Sequence, residues 1–90
     1  MSINIDGLVF DRADYDAEGD VLYLARGDGG AASDAAVTPE GHGIRYGPNG
    51  EVIGVTIINA RFILRRDGHI TITLPHEVRV DEDALAPVLG

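Results

Sequence analysis

Glycine and proline occur so often in this chain that no long helix fits between them. Twelve Gly and four Pro divide its 90 residues into short apolar runs. Short runs bounded by turn residues are typical of antiparallel strands rather than of a helical bundle. We therefore predict an α+β fold that is mostly β: a small twisted antiparallel sheet of about five strands with one or two short helices.

Length and composition indicate a single domain over residues 1–90. A domain of this size buries a modest core, so self-association as a homodimer is expected to add stability. The chain has no Cys, which excludes disulfides, thiolate nucleophiles and Cys-ligated zinc. The N-terminus does not resemble a signal peptide, and no apolar run approaches the roughly 20 residues that cross a bilayer. We expect a cytoplasmic protein.

The formal net charge of −8 is concentrated in the first part of the chain. Residues 1–40 hold nine acidic side chains against Arg12 and Arg26, whereas residues 41–90 hold six against five Arg. Phosphate backbones and anionic lipids would repel such a chain, so neither nucleic acid nor a membrane is an expected partner. A basic protein is the better-matched partner.

Leu8–Phe10 and then Ala13–Tyr15 predict a first extended segment, which leads into a hairpin. Its turn is Asp16-Ala17-Glu18-Gly19-Asp20, and the apolar run Val21–Ala25, rich in strand formers, is predicted to be a central strand. Tyr15 and Tyr23 are predicted to flank the buried face of this hairpin. Gly, Ala, Ser and Asp dominate the following stretch, which predicts a flexible loop over about residues 27–42.

A second hairpin is predicted around Gly47-Pro48-Asn49-Gly50. The proline suits the first central position of a type I turn, and Gly50 would supply the left-handed residue of a bulged hairpin. The flanking strands are Gly43–Tyr46 and Val52–Ile58. Gly54, inside the second strand, indicates a bulge or the close approach of another backbone.

Residues 59–68 fit two different structures. In a helix, Asn59 would be the N-cap and Gly68 would follow the last turn. Phe62 and Ile63 would then face inward. In a strand, Asp67-Gly68 would form a hairpin turn. We favour a short helix, because the strand would place two arginines on the same face as an apolar residue.

A strand and a helical turn are predicted over residues 69–89. Residues 70–74 alternate in polarity and form a strand under either interpretation of the preceding segment. Residues 81–85 predict one helical turn, since the acids at its start match the helix dipole.

Two blocks of the sequence resemble a known family. Residues 15–24, YDAEGDVLYL, are similar to the YDxExDxLYI signature of small bacterial and archaeal proteins grouped as the domain of unknown function 2283. Residues 43–46 and then 50–60, GEVIGVTIINA, resemble its GI…G.IVGIEILNA block. The resemblance spans about residues 12–66 and departs at Gly19, where Ala is common. The matched structural signature comprises Tyr15, Asp16, Asp20, Leu22, Tyr23, Gly50, Gly54 and Asn59.

This resemblance implies a compact antiparallel β unit and no established activity. Some relatives are thought to be encoded beside small toxin-like proteins, which implies an antitoxin-type role with a protein partner. No binding residues follow from it.

The acidic turn is a candidate metal site. Asp16, Glu18 and Asp20 place three carboxylates close together, and Ca²⁺ or Mg²⁺ is bound by several oxygens. The spacing departs from a calcium loop, because Gly19 stands at the fourth position and no acid stands where the bidentate Glu belongs. Turn chemistry is the favoured interpretation, with Asp20 capping backbone amides of the turn before the apolar strand.

Other candidate side chains give weaker signals. His42, His69 and His76 lack helical pairing and are predicted to be exposed. No Ser or Thr lies in a nucleophile motif, so we predict no catalytic residue and no cofactor.

The basic cluster Arg61, Arg65 and Arg66 has two interpretations. On a helix the first two lie one turn apart and would grip a carboxylate or a phosphate. Alternatively, the cluster is a solvated face that balances the acidic half.

The leading hypothesis for function is a non-enzymatic, antitoxin-like protein-interaction module. It would bind a basic protein through an edge strand and the acidic N-terminal half, and charge would mainly speed the encounter. One alternative is a small metal-assisted enzyme that uses the Asp16, Glu18 and Asp20 turn with a histidine. Another is a homo-oligomeric structural protein, favoured by the small core and exposed sheet edges.

Overall fold

A computed structural model describes residues 2–27, 34–74 and 76–89. The chain begins with a hairpin of β1 (Ile3–Ile5) and β2 (Leu8–Phe10). Asp6 and Gly7 connect them, both at positive φ (51° and 85°), as primed hairpin turns require. The Asp-Gly dipeptide is a local sequence signal for this hairpin.

Five further strands form the central antiparallel sheet. They are β3 (Arg12–Asp16), β4 (Val21–Ala25), β5 (Asp34–Val37), β6 (Gly43–Tyr46) and β7 (Val52–Ile58). Their order across the sheet is β3-β4-β7-β6-β5, with all neighbours antiparallel. The predicted five-stranded antiparallel sheet is confirmed, and β3 and β5 are its edges.

The predicted hairpin between β6 and β7 is confirmed. Gly50 has a φ of 80°, in the left-handed region that a bulged turn needs. The register between β6 and β7 shifts by one residue near this turn: Arg45 lies opposite Gly54, whereas Tyr46 lies opposite Val52. One residue of β7 therefore forms a bulge beside Gly54, as the glycine within this strand predicted.

The prediction of a flexible loop over residues 27–42 was wrong for the part that the structure describes. Residues 28–33 lie outside the described residues. Asp34–Val37 form edge strand β5, and Thr38 and His42 are buried. Low hydrophobicity misled the prediction, because an edge strand needs backbone pairing with one neighbour and little apolar burial.

The C-terminal part contains more regular structure than predicted. Helix α1 (Ala60–Asp67) confirms the favoured interpretation, and β8 (His69–Thr73) follows it. Strand β9 (Glu77–Asp81), which alternates clearly but was not predicted, pairs with β8. The predicted helical turn extends to the eight residues of α2 (Glu82–Leu89).

The core lies against the inner face of the central sheet. The N-terminal hairpin, α1, the β8–β9 hairpin and α2 contribute its other side. Its largest fully buried apolar side chains are Phe10, Ile5, Leu22, Ile44, Ile57, Ile70, Ile72 and Leu85. Each such side chain contributes about 1.5–3 kcal/mol of transfer free energy. Among the described residues, no helix has the length and apolar character that crossing a membrane requires.

One predicted core residue lies at the surface instead. Phe62 of α1 is 57 % exposed, whereas Ala60 and Leu64 of the same helix are buried. The buried face of α1 is set by where the helix meets β8, and hydrophobicity alone does not reveal it.

Candidate functional site

The first turn of α1 is capped by a side chain that lies 41 residues before Arg61 in the chain. Oδ1 of Asp20 accepts a hydrogen bond from the Arg61 amide at 2.8 Å, and Oδ2 accepts one from the Phe62 amide at 3.1 Å. The carbonyl of Asp20 accepts a third from the Ala60 amide at 3.1 Å. Asp20 has a φ of 54°, which Asp tolerates better than most residues. The turn between β3 and β4 therefore fixes the start of the helix.

Two more side chains complete this arrangement. The hydroxyl of Tyr15 donates a hydrogen bond to Oδ1 of Asp20 at 2.7 Å. The guanidinium of Arg61 lies 5.3 Å from the centre of the Tyr15 ring, within the range of a cation–π contact, and also donates to the Leu89 carbonyl. We call Tyr15, Asp20 and Arg61 the capping cluster. It ties the sheet, α1 and the end of α2 together.

The hydrogen bonds of the capping cluster shift two pKa values. Partial burial by itself raises the pKa of Asp20, but hydrogen bonds from Tyr15 and from the amides of Arg61 and Phe62 outweigh it, and the pKa lies below its ordinary value. The hydrogen bond to Asp20, followed by burial, raises the pKa of Tyr15. Asp20 therefore remains an anion at the positive end of the helix dipole.

The capping cluster corrects two sequence predictions. Asn59 does not cap α1 with its side chain; it adopts a left-handed conformation, with φ 59° and ψ 41°. Asp20 caps the helix rather than the turn before β4. No local pattern reports a cap supplied from another hairpin, so sequence reasoning missed this role.

The second feature is the outward face of the central sheet, which we call the open face. Strand register aligns one residue from each strand across it, in the order Asp14, Tyr23, Thr56, Gly43 and Val37. Tyr23, Ile58 and Val37 are 48 %, 42 % and 76 % exposed on this face. The centre of the face, from β4 and β7, consists of Val21, Tyr23, Ala25, Gly54, Thr56 and Ile58.

Tyr23 was predicted to flank the buried face, which was wrong. Neighbouring residues of a strand point to opposite faces, and the register places Tyr15 opposite Leu22 but Tyr23 opposite Asp14. Tyr15 therefore packs against the core and Tyr23 points outward.

Gly54 makes room for a cation on the open face. A Cβ at Gly54 would lie 3.5 Å from Cδ of Arg45 and 3.4 Å from the carbonyl oxygen of Leu24. The aliphatic stem of Arg45 thus rests against Gly54 near the middle of the sheet. This is the close approach that a glycine inside a strand predicted.

These features lie within one family match. Residues 12–61, more than half of the chain, match the family described as "Protein of unknown function (DUF2283)". The chain belongs to the DUF2283 family. No curated protein and no solved structure matches it. The match includes the whole capping cluster and the strands that form the open face.

The three carboxylates of the candidate metal site have separate roles in this DUF2283 protein. Oδ1 of Asp16 accepts hydrogen bonds from the amides of Glu18 and Gly19 at 3.2 and 3.4 Å, which is turn chemistry. Asp20 belongs to the capping cluster, and Glu18 is exposed. Within residues 2–27, 34–74 and 76–89, no three His, Asp or Glu side chains are grouped to hold a metal ion.

The histidines of the DUF2283 protein differ in burial, and the prediction that all are exposed was wrong. His42 is 2 % exposed, and its Nδ1 has no hydrogen-bond partner among the described residues. Burial lowers the pKa of His42, and the nearby Glu40 charge only partly offsets this effect. His69 is half-buried, whereas His76 is exposed and lies 3.4 Å from Asp6.

Glu40 links two hairpins. No sequence pattern predicted a role for it. Its Oε1 accepts a hydrogen bond from the Thr73 amide at 3.0 Å, and its Oε2 accepts one from the Thr73 hydroxyl at 2.8 Å. Partial burial raises the pKa of Glu40, but hydrogen bonds from Thr73 and Thr38 outweigh it and hold the pKa below its ordinary value. The carboxylate fastens the turn before β6 to the end of β8.

The arginine cluster divides between two environments. Arg61 and Arg65, one helical turn apart as predicted, line a cleft of about 500 Å³ between α1 and α2, with Glu82 among the other lining residues. Arg66 instead pairs with Asp67 at 2.8 Å and lies 5.5 Å from the centre of the Phe62 ring. Since Arg61 already bonds the Leu89 carbonyl and stacks on Tyr15, its main contacts stabilise the fold.

Proposed function

We propose that this DUF2283 protein is a non-enzymatic protein-interaction module whose binding surface is the open face of its sheet. The observation that carries the proposal is the exposure of Tyr23, Val37 and Ile58 on one face. Antiparallel sheets with one face on the core usually place polar residues on the other face. Here the outward positions of the two central strands are mostly apolar, and exposed apolar patches mark interaction surfaces.

The charge around the open face indicates what the partner presents. Strand β3 forms one margin, where Asp14 and Asp16 are exposed, with Asp11 and Glu18 close by in sequence. A partner with basic side chains opposite β3 is favoured, and the attraction would increase the rate of encounter. A basic, toxin-like protein fits this requirement, which would make the role antitoxin-like.

A non-catalytic role is supported by the contacts of the side chains whose pKa values are shifted. Tyr15 and Asp20 hold α1 to the sheet, Glu40 fastens two hairpins, and His42 is buried. Shifted pKa values often mark catalytic sites, but structural networks also cause them.

The test compares tagged forms of the protein purified from the native host by quantitative mass spectrometry. The variant Tyr23→Ser/Val37→Ser removes two exposed apolar groups from the open face. Phe62→Ser is the control, since Phe62 is also an exposed apolar side chain but lies on α1.

The expected result is one stoichiometric protein partner that the wild type and the control retain and the double variant loses at least tenfold. Equal recovery of that partner with all three forms would refute the open face as the binding surface. Circular dichroism checks that each variant is folded.

A further inference from the structure

We infer that the turn between β5 and β6, residues 38–42, is an acid-sensitive latch: it holds the free edge of β8 at neutral pH and releases it in mild acid, while the central sheet stays folded. The side chains that carry this role are Glu40 and His42, which reach β8 from the turn. The latch acts whether or not the open face binds a partner, so it goes beyond the proposed function.

Side chains of the latch occupy one edge of β8. Among the described strands, β8 pairs only with β9, which leaves its other edge without a neighbouring strand. Oε1 and Oε2 of Glu40 accept hydrogen bonds from the amide and the hydroxyl of Thr73 at 3.0 and 2.8 Å. The backbone of Thr71, two residues earlier and therefore on the same edge, is the hydrogen-bond partner of the His42 ring. The latch thus takes the place of a neighbouring strand.

Hydrogen bonds within the latch hold its two side chains together as a unit. The Thr38 amide donates to the His42 carbonyl at 2.8 Å, and the His42 amide donates to Oγ1 of Thr38 at 3.1 Å. The Gly41 amide donates to the Thr38 carbonyl at 2.9 Å, and its φ of 91° suits glycine. Glu40 lies between these residues, so a disturbance at His42 also disturbs the contact of Glu40 with β8.

A proton on the His42 ring is incompatible with the closed latch. The side chain is 2 % exposed, and Nδ1 has no hydrogen-bond partner among the described residues. Protonated Nδ1 would be a buried donor without an acceptor on a buried cation, which is unfavourable unless the ring reaches water or an anion. The nearby anion is Glu40, whose oxygens already accept from Thr73. Either the ring moves out to water or Glu40 leaves Thr73, and both changes open the latch.

The charges around His42 do not remove this conflict. Glu40 raises the pKa of His42, but burial has the larger effect and the pKa lies below its ordinary value. The other titratable residues on the face of the β8–β9 hairpin that carries Thr71 and Thr73 are His69, Glu77, Arg79 and Asp81. The three on β9 are exposed to solvent, which screens their charges.

Proton linkage sets the size of the effect. In the open latch His42 is solvated and binds a proton at its ordinary pKa of 6.5, whereas in the closed latch it binds one only at lower pH. The equilibrium constant for opening should therefore rise by up to about tenfold for each pH unit below 6.5, until the pKa of the closed state is reached. The pKa of Glu40 is also lowered in the closed latch, so its protonation favours opening further below pH 4.5.

Amide hydrogen exchange measured by NMR between pH 6.5 and pH 5 tests the latch. The reporters are the Thr73 amide, which donates to Glu40, and the Thr38 amide, which donates to His42. The reference is the amide of Ile57, which lies opposite Leu22 in the central β4–β7 pair. Protection of the reporters is expected to be lower than that of Ile57 at each pH and to fall at least fivefold across this range. A local opening exposes little surface, so about 1 M urea should accelerate exchange at Ile57 and leave the reporters unchanged.

Two variants separate the role of His42 from that of other histidines. His42→Gln keeps a hydrogen-bonding side chain that does not titrate, so protection of the Thr73 and Thr38 amides should no longer depend on pH between 6.5 and 5. His76→Gln is the matched control, because His76 is exposed, and this variant should show the same fall as the wild type.

Three results would overturn the inference. They are wild-type protection at the reporters that does not change with pH, the same fall in His42→Gln as in the wild type, and reporters that exchange as slowly as Ile57 and respond equally to urea. If His42→Gln does not fold, an NMR titration of the wild-type imidazole decides instead. A His42 ring that titrates at about pH 6.5 in the folded protein would refute the latch, and one that titrates lower supports it.

Discussion

Replacing Asp20 with Ala removes the side chain that joins the β3–β4 turn to α1. Losing a helix N-cap costs about 1 kcal/mol, and losing the hydrogen bond from Tyr15 to the ionised carboxylate costs about 1.5 kcal/mol. Alanine at a φ of 54° adds about 1 kcal/mol, because its Cβ is strained in the left-handed region. These contributions are not independent, so we expect the free energy of unfolding to fall by about 3 kcal/mol.

Urea unfolding followed by circular dichroism measures this change. The matched control is Asp16→Ala in the same turn, where exposed hydrogen bonds of 3.2 and 3.4 Å predict a loss of only about 0.5 kcal/mol. Asp20→Asn keeps one acceptor oxygen and tolerates the left-handed backbone, so it is expected to lose about 1 kcal/mol. A loss from Asp20→Ala no larger than that from Asp16→Ala would refute the structural role of the capping cluster.

The lowered pKa of Asp20 gives this prediction a pH dependence. An ionised Asp20 stabilises the fold, and that contribution is fully present above the ordinary pKa of 3.8. It is lost as the pH falls below 3.8 through the folded-state pKa. The difference in stability between the wild type and Asp20→Ala should therefore shrink in acid, as unfolding curves from pH 7 to pH 2 would reveal.

Three further predictions concern the rest of the fold. Burial lowers the pKa of His42 below 6.5, so the unfolded chain binds a proton before the folded chain does, and stability falls as the pH drops below 6.5. In His42→Gln the urea midpoint should therefore depend less on pH between pH 7 and pH 5. A pH dependence equal to that of the wild type would contradict this. Glu40→Ala leaves the Thr73 amide and hydroxyl without their acceptor, so we expect the free energy of unfolding to fall by about 2 kcal/mol and the Thr73 amide to exchange faster with solvent. Unchanged exchange at Thr73 would contradict this. Gly50→Ala should lower the free energy of unfolding by about 1 kcal/mol and Gly50→Asn by less, since the φ of 80° strains alanine more than asparagine. Equal melting temperatures of the two variants would count against this.

The hairpins of the central sheet were predictable because their signals are local. The Gly47–Gly50 turn and the strands around it require particular backbone angles and an apolar alternation that neighbouring residues provide. The Asp6-Gly7 turn and the alternating residues of β9 carry local signals of the same kind. Strand β5 gave no such signal, since its pairing with β6 is mostly backbone.

The sequence by itself determined the class of the fold, the positions of most strands and the excess of acidic charge, because all of these depend on residue type and short-range spacing. Only the tertiary structure decided which side chains work together. Asp20 caps a helix far along the chain, His42 is buried despite its polar surroundings in sequence, and Tyr23 points outward although Tyr15 points inward. Burial and partners of this kind follow from which strands lie next to one another, and that order is fixed by packing over the whole domain rather than by any local pattern.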